Sequence, residues 1–140
     1  MRYEAMEVSG DAGIRAAGGS LNEVFAAAAI GMYSLITDLS GVEEKKSIEV
    51  SVEADKSGGP EGLLVGFLNE LVFHFDARGF IGRRVEIRRL AEGRVDAVVR
   101  GEEFDRGRHA AGLLIKAATY HGLKVENSGG LWSAEVIFDI

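Results

Sequence analysis

Apolar residues recur along the chain with two different periods, and the switch between them separates helices from strands. Leu21, Val24, Phe25, Ala28, Met32, Leu35, Ile36 and Leu39 fall at three- and four-residue intervals, a stripe broad enough to cover a sheet. Ser20 stands three residues before Glu23, a capping box that marks where this helix starts, and Gly41 reads as its end. A second helix begins at Pro60, which suits a first helical position, and gathers Leu64, Phe67, Leu68, Leu71, Val72 and Phe75 on one face. Asn69, Glu70 and Asp76 lie off that face, and Glu70 with His74, one turn apart, reads as an ordinary polar pair.

The remaining segments have period two. Residues 2–8 alternate weakly, as an edge strand does, residues 9–13 read as a glycine loop, and residues 14–17 as a short strand. Residues 47–52 set Ile48, Val50 and Val52 against Ser47, Glu49 and Ser51. Past Gly79 the alternation continues over residues 84–89, turns at Glu92-Gly93 and returns over residues 95–100. Residues 113–120 and 123–126 are further strand candidates, and residues 127–130 turn into a last strand over residues 131–138. Two helices and about seven strands, joined mostly by hairpins, predict an α+β single-domain sandwich of two helices against a mostly antiparallel sheet, spanning residues 1–140.

Composition narrows the chemistry. Apolar residues make up 46% and charged residues 27%, as in a globular domain, and the longest apolar run, residues 24–32, is too short to span a bilayer. With no basic start or apolar block at the amino end, a soluble cytoplasmic protein with no membrane partner is expected. The absence of cysteine excludes disulfides and thiolate metal sites, and three histidines (His74, His109, His121) disfavour a histidine-rich zinc site. A net charge of −6 repels phosphate backbones. Arginines crowd the middle of the chain from Arg78 to Arg108, but Glu86, Glu92, Asp96, Glu102, Glu103 and Asp105 interrupt them, so solvated strand faces are expected there and no direct nucleic-acid binding.

No P-loop, dinucleotide fingerprint or nucleophile elbow is present, and no catalytic residue is assigned. Carboxylates in unusual places remain. Asp11 stands among glycines, and Asp139 follows the apolar Val136-Ile137-Phe138, with Ile140 adding further oxygens. Hard cations favour such all-oxygen sets, although a turn cap and a solubilising terminal acid would look the same from spacing. Asp38 sits near a helix C-terminus, where an acid is unfavourable for the dipole and calls for a cation or an arginine. Lys116 and His121 bracket a compact polar and aromatic group. A small metal-dependent hydrolase built on Asp11 and Asp139 is a further reading, but no general base lies near them in sequence.

At these residues the chain resembles the archeases, small proteins that assist RtcB-type tRNA-splicing ligases. The resemblance rests on Lys116-Ala117-Ala118-Thr119-Tyr120-His121 and Val136-Ile137-Phe138-Asp139-Ile140. Thr37-Asp38-Leu39, Leu68-Asn69-Glu70-Leu71 with Phe75-Asp76, and Gly101-Glu102 with Phe104-Asp105 support it, in family order. Where archeases typically read His-Thr-Ala-Asp-Ile-Gly-Ile-Arg, this chain has Val8-Ser9-Gly10-Asp11-Ala12-Gly13-Ile14-Arg15, keeping the acid and losing the histidine and threonine. The resemblance implies a calcium site formed by Asp11, Asp139 and an oxygen of Ile140, with Lys116, Asp38 and His121 as partner contacts. It also implies a helper that promotes guanylylation of the ligase, sustains its turnover and broadens its nucleoside triphosphate choice. Modulation of a tRNA methyltransferase or another RNA-modifying enzyme is the alternative. The acidic charge suits docking on a basic ligase.

Overall fold

In the computed structural model, which describes residues 1–140 except for the side chain of Lys56, the chain opens with a tight hairpin. Strands β1 (Arg2–Val8) and β2 (Asp11–Gly18) pair antiparallel with Val8 opposite Asp11. Only Ser9 and Gly10 lie between them, and Gly10 takes the left-handed conformation (φ 77°) that the second central position of a type II turn requires. The expected glycine loop over residues 9–13 is therefore a two-residue turn. Asp11, Ala12 and Gly13 belong to the ladder, where the short side chain of Ala12 is buried.

Helix α1 (Leu21–Ile36) starts where the capping box places it, with the Ser20 hydroxyl accepting from the Glu23 N–H at 3.2 Å. It ends five residues before Gly41. Thr37 turns to extended backbone, and residues 39–41 form a separate single turn of 3-10 helix. A distant segment causes the early stop: Gly112 and Leu113 donate their N–H groups to the carbonyls of Ile36 and Leu35, both at 2.8 Å, and the Thr37 hydroxyl donates to Ala110 O at 2.6 Å. The two N–H bonds satisfy carbonyls that the end of a helix leaves open, and the hydroxyl ties Thr37 to the same segment. The same segment shortens the strand expected over residues 113–120 to β6 (Ala117–Ala118), because its earlier residues are committed to the helix end.

Strands β3 (Lys46–Glu53), β4 (Phe80–Ala91) and β5 (Arg94–Glu103) form a three-stranded antiparallel sheet in the order β3-β5-β4, with helix α2 (Gly59–Arg78) between β3 and β4 in sequence. Pro60 stands in the first turn of α2, and Gly79 closes it in the left-handed region. The second sheet runs β1-β2-β8, where β8 (Leu131–Asp139) also carries β6 and β7 (Lys124–Ser128) in line along its other side. The α+β class expected from the pattern is observed, with the antiparallel strands divided between two sheets.

The helices lie between these sheets. α1 packs on β1, β2 and β8 of one sheet and β4 of the other, and α2 packs on β3, β4 and β5 of one and β6 and β7 of the other. This explains the alanine-rich run in α1: residues 24–29 are buried on every side, and small side chains let two sheets approach one helix. The exposed faces of β3, β4 and β5 bear the charges. Arg84 pairs with Glu44, Arg88 and Arg100 with Glu86, and Arg94 with Glu53 and Asp96, so these mid-chain arginines stand on solvated strand faces as expected.

Candidate functional site

The β2–β8 ladder places the two suspected metal ligands side by side. Its last pair is Ala12 with Phe138, so Asp11 and Asp139 are the next residues on their strands. Ala12 and Phe138 point into the core, and alternation sends Asp11 and Asp139 together to the opposite, outer face. Both are exposed, and no described lysine, arginine or histidine forms an ion pair with either. Facing positions on antiparallel strands hold their Cβ atoms about 5 Å apart, where like charges destabilise the pair. A positive charge bound between them would remove that penalty.

The other side of β8 adds to the same corner. Ala117 lies opposite Asp139, and the Lys116 N–H donates to the Asp139 carbonyl at 2.8 Å, which sets Lys116 beside Ile140. Ile140 is exposed. Asp11, Asp139, Ile140 and Lys116 thus come together from three segments far apart in sequence. Among the described residues no three His, Cys, Asp or Glu side chains form a metal-binding group, so a cation at this corner would need oxygens beyond the two carboxylates, such as those of Ile140. Hard cations accept such oxygens.

Val8, opposite Asp11 in the hairpin, occupies the position where the family pattern has histidine. Its Cγ2 and the Met6 Cε lie within 3.3 and 3.0 Å of where a Cβ on Gly13 would stand, so Gly13 is held under both side chains. Asp11 is therefore flanked by an apolar cover and lacks a nitrogen ligand from its neighbour.

Two of the expected partner contacts lie elsewhere. Asp38 accepts from the Ser40 hydroxyl at 2.8 Å and the Ser40 N–H at 3.0 Å, and these bonds lower its pKa. The cation or arginine expected from its place near a helix end is thus replaced by the cap of the following 3-10 turn. It lines a separate concavity of about 510 Å³ with Tyr3, Thr37, Ser40 and Gly112. His121 is exposed in the turn after β6, where its N–H donates to the Thr119 hydroxyl at 3.3 Å. No described hydrogen bond or ion pair joins Asp38 or His121 to the aspartate pair.

Sequence reasoning passed over two positioning elements. Asn69 of α2 accepts from the Ala118 N–H at 2.7 Å and donates to the Ala118 carbonyl at 3.1 Å, so one side chain acts as the missing neighbour of the two-residue strand β6. In the sequence Asn69 stood only as one of several polar residues off the apolar face of the helix and within the family-like Leu68-Asn69-Glu70-Leu71. Glu102 is 3% exposed, and its carboxylate accepts from the Glu43 N–H at 2.6 Å, from His109 Nε2 at 3.1 Å and from Arg108. His109 Nδ1 accepts from the Asp105 N–H at 2.8 Å, which leaves the ring proton on Nε2, facing Glu102. The Glu43 N–H, followed by Arg108 and His109, holds the Glu102 pKa down at about 2. This cluster anchors the start of the segment that closes α1 and continues to Lys116.

Comparison with known proteins identifies the fold and the family. The model of the Archease protein family matches residues 3–140. The chain is similar to Protein archease of Pyrococcus abyssi (37% identical, covering 99% of each chain) and to that of Methanopyrus kandleri (34%, covering all of both). The solution structure of Methanobacterium thermoautotrophicum protein 1598 superposes with a TM-score of 0.78 at 32% identity, over 99% of this chain and 98% of that one. A Thermotoga maritima structure described as an archease, possible chaperone, shares the fold at 19% identity, with a TM-score of 0.64 over 96% and 94% of the two chains. With its family model matched along nearly the whole length and relatives above 30% identity at full coverage, the chain belongs to the archease family.

Proposed function

We propose that this protein is a non-catalytic cofactor of an RtcB-type tRNA-splicing ligase in the cytoplasm, promoting the ligase's guanylylation and repeated turnover and broadening its choice of nucleoside triphosphate. A calcium ion, or another hard divalent cation, is held by Asp11, Asp139 and an oxygen of Ile140. The observation that supports the reading is the uncompensated pair of carboxylates at the end of the β2–β8 ladder, in a corner that also holds Lys116. When bound, the cation neutralises the pair and offers a fixed positive centre on an otherwise acidic surface. Lys116 adds a flexible cation beside it, suited to contact with an acidic or phosphate group of the partner complex. Among the described residues no helix is long and apolar enough to cross a membrane, which fits this setting.

Multiple-turnover ligation by the cognate ligase, with and without the protein, tests the reading. Stimulation of both guanylylation and turnover is expected, with most of it lost in Asp139→Ala; unchanged ligation on adding the wild-type protein defeats the proposal. The second reading is modulation of a tRNA methyltransferase or another RNA-modifying enzyme. Capture of such an enzyme in place of a ligase at modest salt would select that alternative.

A further inference from the structure

Resting on the calcium reading above, we propose that Asn69 is a positioning residue of the aspartate corner. It touches neither cation nor carboxylate, and acts through β6 to fix the backbone of Asp139 and Ile140 and so the affinity for the cation. The ground lies in how the end of β8 is held. Val8 faces Asp11 across the two-residue turn, so Asp11 directs its N–H and C=O to β1, and Ala12 directs its own to Phe138. Alternation along β8 then turns the N–H and C=O of Asp139 away from β2 and toward β6. The ladder with β2 stops at Phe138, whereas Asp139 lies opposite Ala117 and its carbonyl accepts from the Lys116 N–H at 2.8 Å. Two of the three suspected ligand residues therefore take their lateral position from β6.

With only two residues, β6 has little to hold itself in place. Ala118, opposite Phe138, meets Asn69 with both of its backbone groups: Oδ1 accepts the N–H at 2.7 Å and Nδ2 donates to the C=O at 3.1 Å. At this side-chain length only an amide offers both a donor and an acceptor. Aspartate would set a second acceptor against the Ala118 carbonyl, and leucine, of nearly the same size, offers neither. The amide rides on a turn of α2 that the core fixes, because Leu68 and Leu71 are fully buried. The flanking ties of the segment serve other places. Thr119 donates its N–H and hydroxyl to Ile137 O at 3.0 and 2.9 Å, and Leu113 closes α1. Between them, Asn69 is the one side chain among the described hydrogen bonds that holds residues 114–118 from the side opposite β8. Without it β6 can shift, and Asp139 and Lys116 shift with it. Groups one step behind metal ligands typically change metal affinity by about 10–100-fold.

Calorimetry with calcium chloride on the full chain, run beside hydrogen exchange, tests this. Asn69→Leu should bind calcium at least about tenfold more weakly than the wild-type protein, with its Lys116 amide exchanging faster by a similar factor. Asn69→Ser, too short to span both backbone groups, should change in the same direction and decides the matter if the leucine variant unfolds. Val99→Ala opens a cavity in β5 of the other sheet, where Val99 is fully buried. It should lower the thermal midpoint yet leave calcium affinity within about twofold of wild type, which separates positioning from lost stability. Calcium bound by the Asn69 variants as tightly as by wild type overturns the proposal and spares the aspartate corner. An equal loss of affinity in Val99→Ala also overturns it, since affinity then follows stability alone. A wild-type protein that binds no calcium overturns the corner and the role of Asn69 together.

Discussion

Tyr33 shows how one side chain can fit by shape and still waste a polar group. Its ring is fully buried against β4, where a Cβ on Gly82 would lie 2.6 Å from the ring and 2.5 Å from Val99. Glycine is required there for the close approach. Among the described residues the hydroxyl has no hydrogen-bond partner, and burial raises its pKa. An unmet buried donor costs about 1–3 kcal/mol, so Tyr33→Phe is expected to hold or raise stability by about 1 kcal/mol in urea unfolding. A loss of that size would reveal a partner for the hydroxyl. Val8 is informative for the opposite reason, since it withholds a polar group. Under the calcium reading, Val8→His restores an imidazole beside Asp11 and should raise zinc affinity at least about tenfold while changing calcium affinity little. Calorimetry with each metal separates the outcomes, and equal zinc binding by the two proteins would remove position 8 from the site.

At the scale of elements, strong local signals were legible and long-range ones were not. Ser20 with Glu23, Pro60, Gly79 and Glu92-Gly93 each act on their immediate neighbours, and each stands where the pattern placed it. The stop of α1 at Ile36 was invisible because its cause, Gly112 and Leu113, lies more than seventy residues away. Division into two sheets was hidden likewise, since alternation shows that a strand has two faces and is silent about which strands pair. The candidate site was half legible. Asp11 and Asp139 stood out as isolated acids, but their adjacency depends on β2–β8 register, and the Asn69 clamp on β6 depends on how α2 docks. Two substitutions probe these long-range joins. A Cβ on Gly112 would lie 2.4 Å from the Leu35 carbonyl, a backbone atom with little freedom, so Gly112→Ala should cost about 1–3 kcal/mol and loosen the end of α1. Asn69→Ala leaves both backbone groups of Ala118 unpaired. Its Ala118 amide should exchange faster by at least about tenfold, whereas exchange at the wild-type rate would show that β8 alone holds β6.

For the whole molecule, Glu102 ties the segment before β3 to the one after β5 and makes the fold acid-sensitive in a defined window. Its carboxylate gathers the Glu43 N–H before β3, Arg108 and His109 from the segment after β5, and Lys45 at 3.8 Å. The folded pKa of about 2 lies below the ordinary 4.5, so between these values the unfolded chain binds the proton that the folded one refuses. The Glu102 contribution is therefore complete above about pH 5 and is lost as pH falls toward 2. Asp38 and Asp96, whose pKa values are also lowered by hydrogen bonds, act in the same direction from exposed positions where screening weakens them. Thermal midpoints should be level from neutrality to about pH 5 and then fall steeply. Glu102→Gln keeps the shape but forfeits the charge, so it should begin less stable at pH 7 and fall less between pH 5 and 2, the two curves converging in acid. The cluster joins the end of β5 to the segment that closes α1 and reaches Lys116, so loosening it should also free the Lys116 amide to exchange. Parallel pH profiles for the two proteins would show that the acid transition belongs to other carboxylates and that Glu102 only fills space.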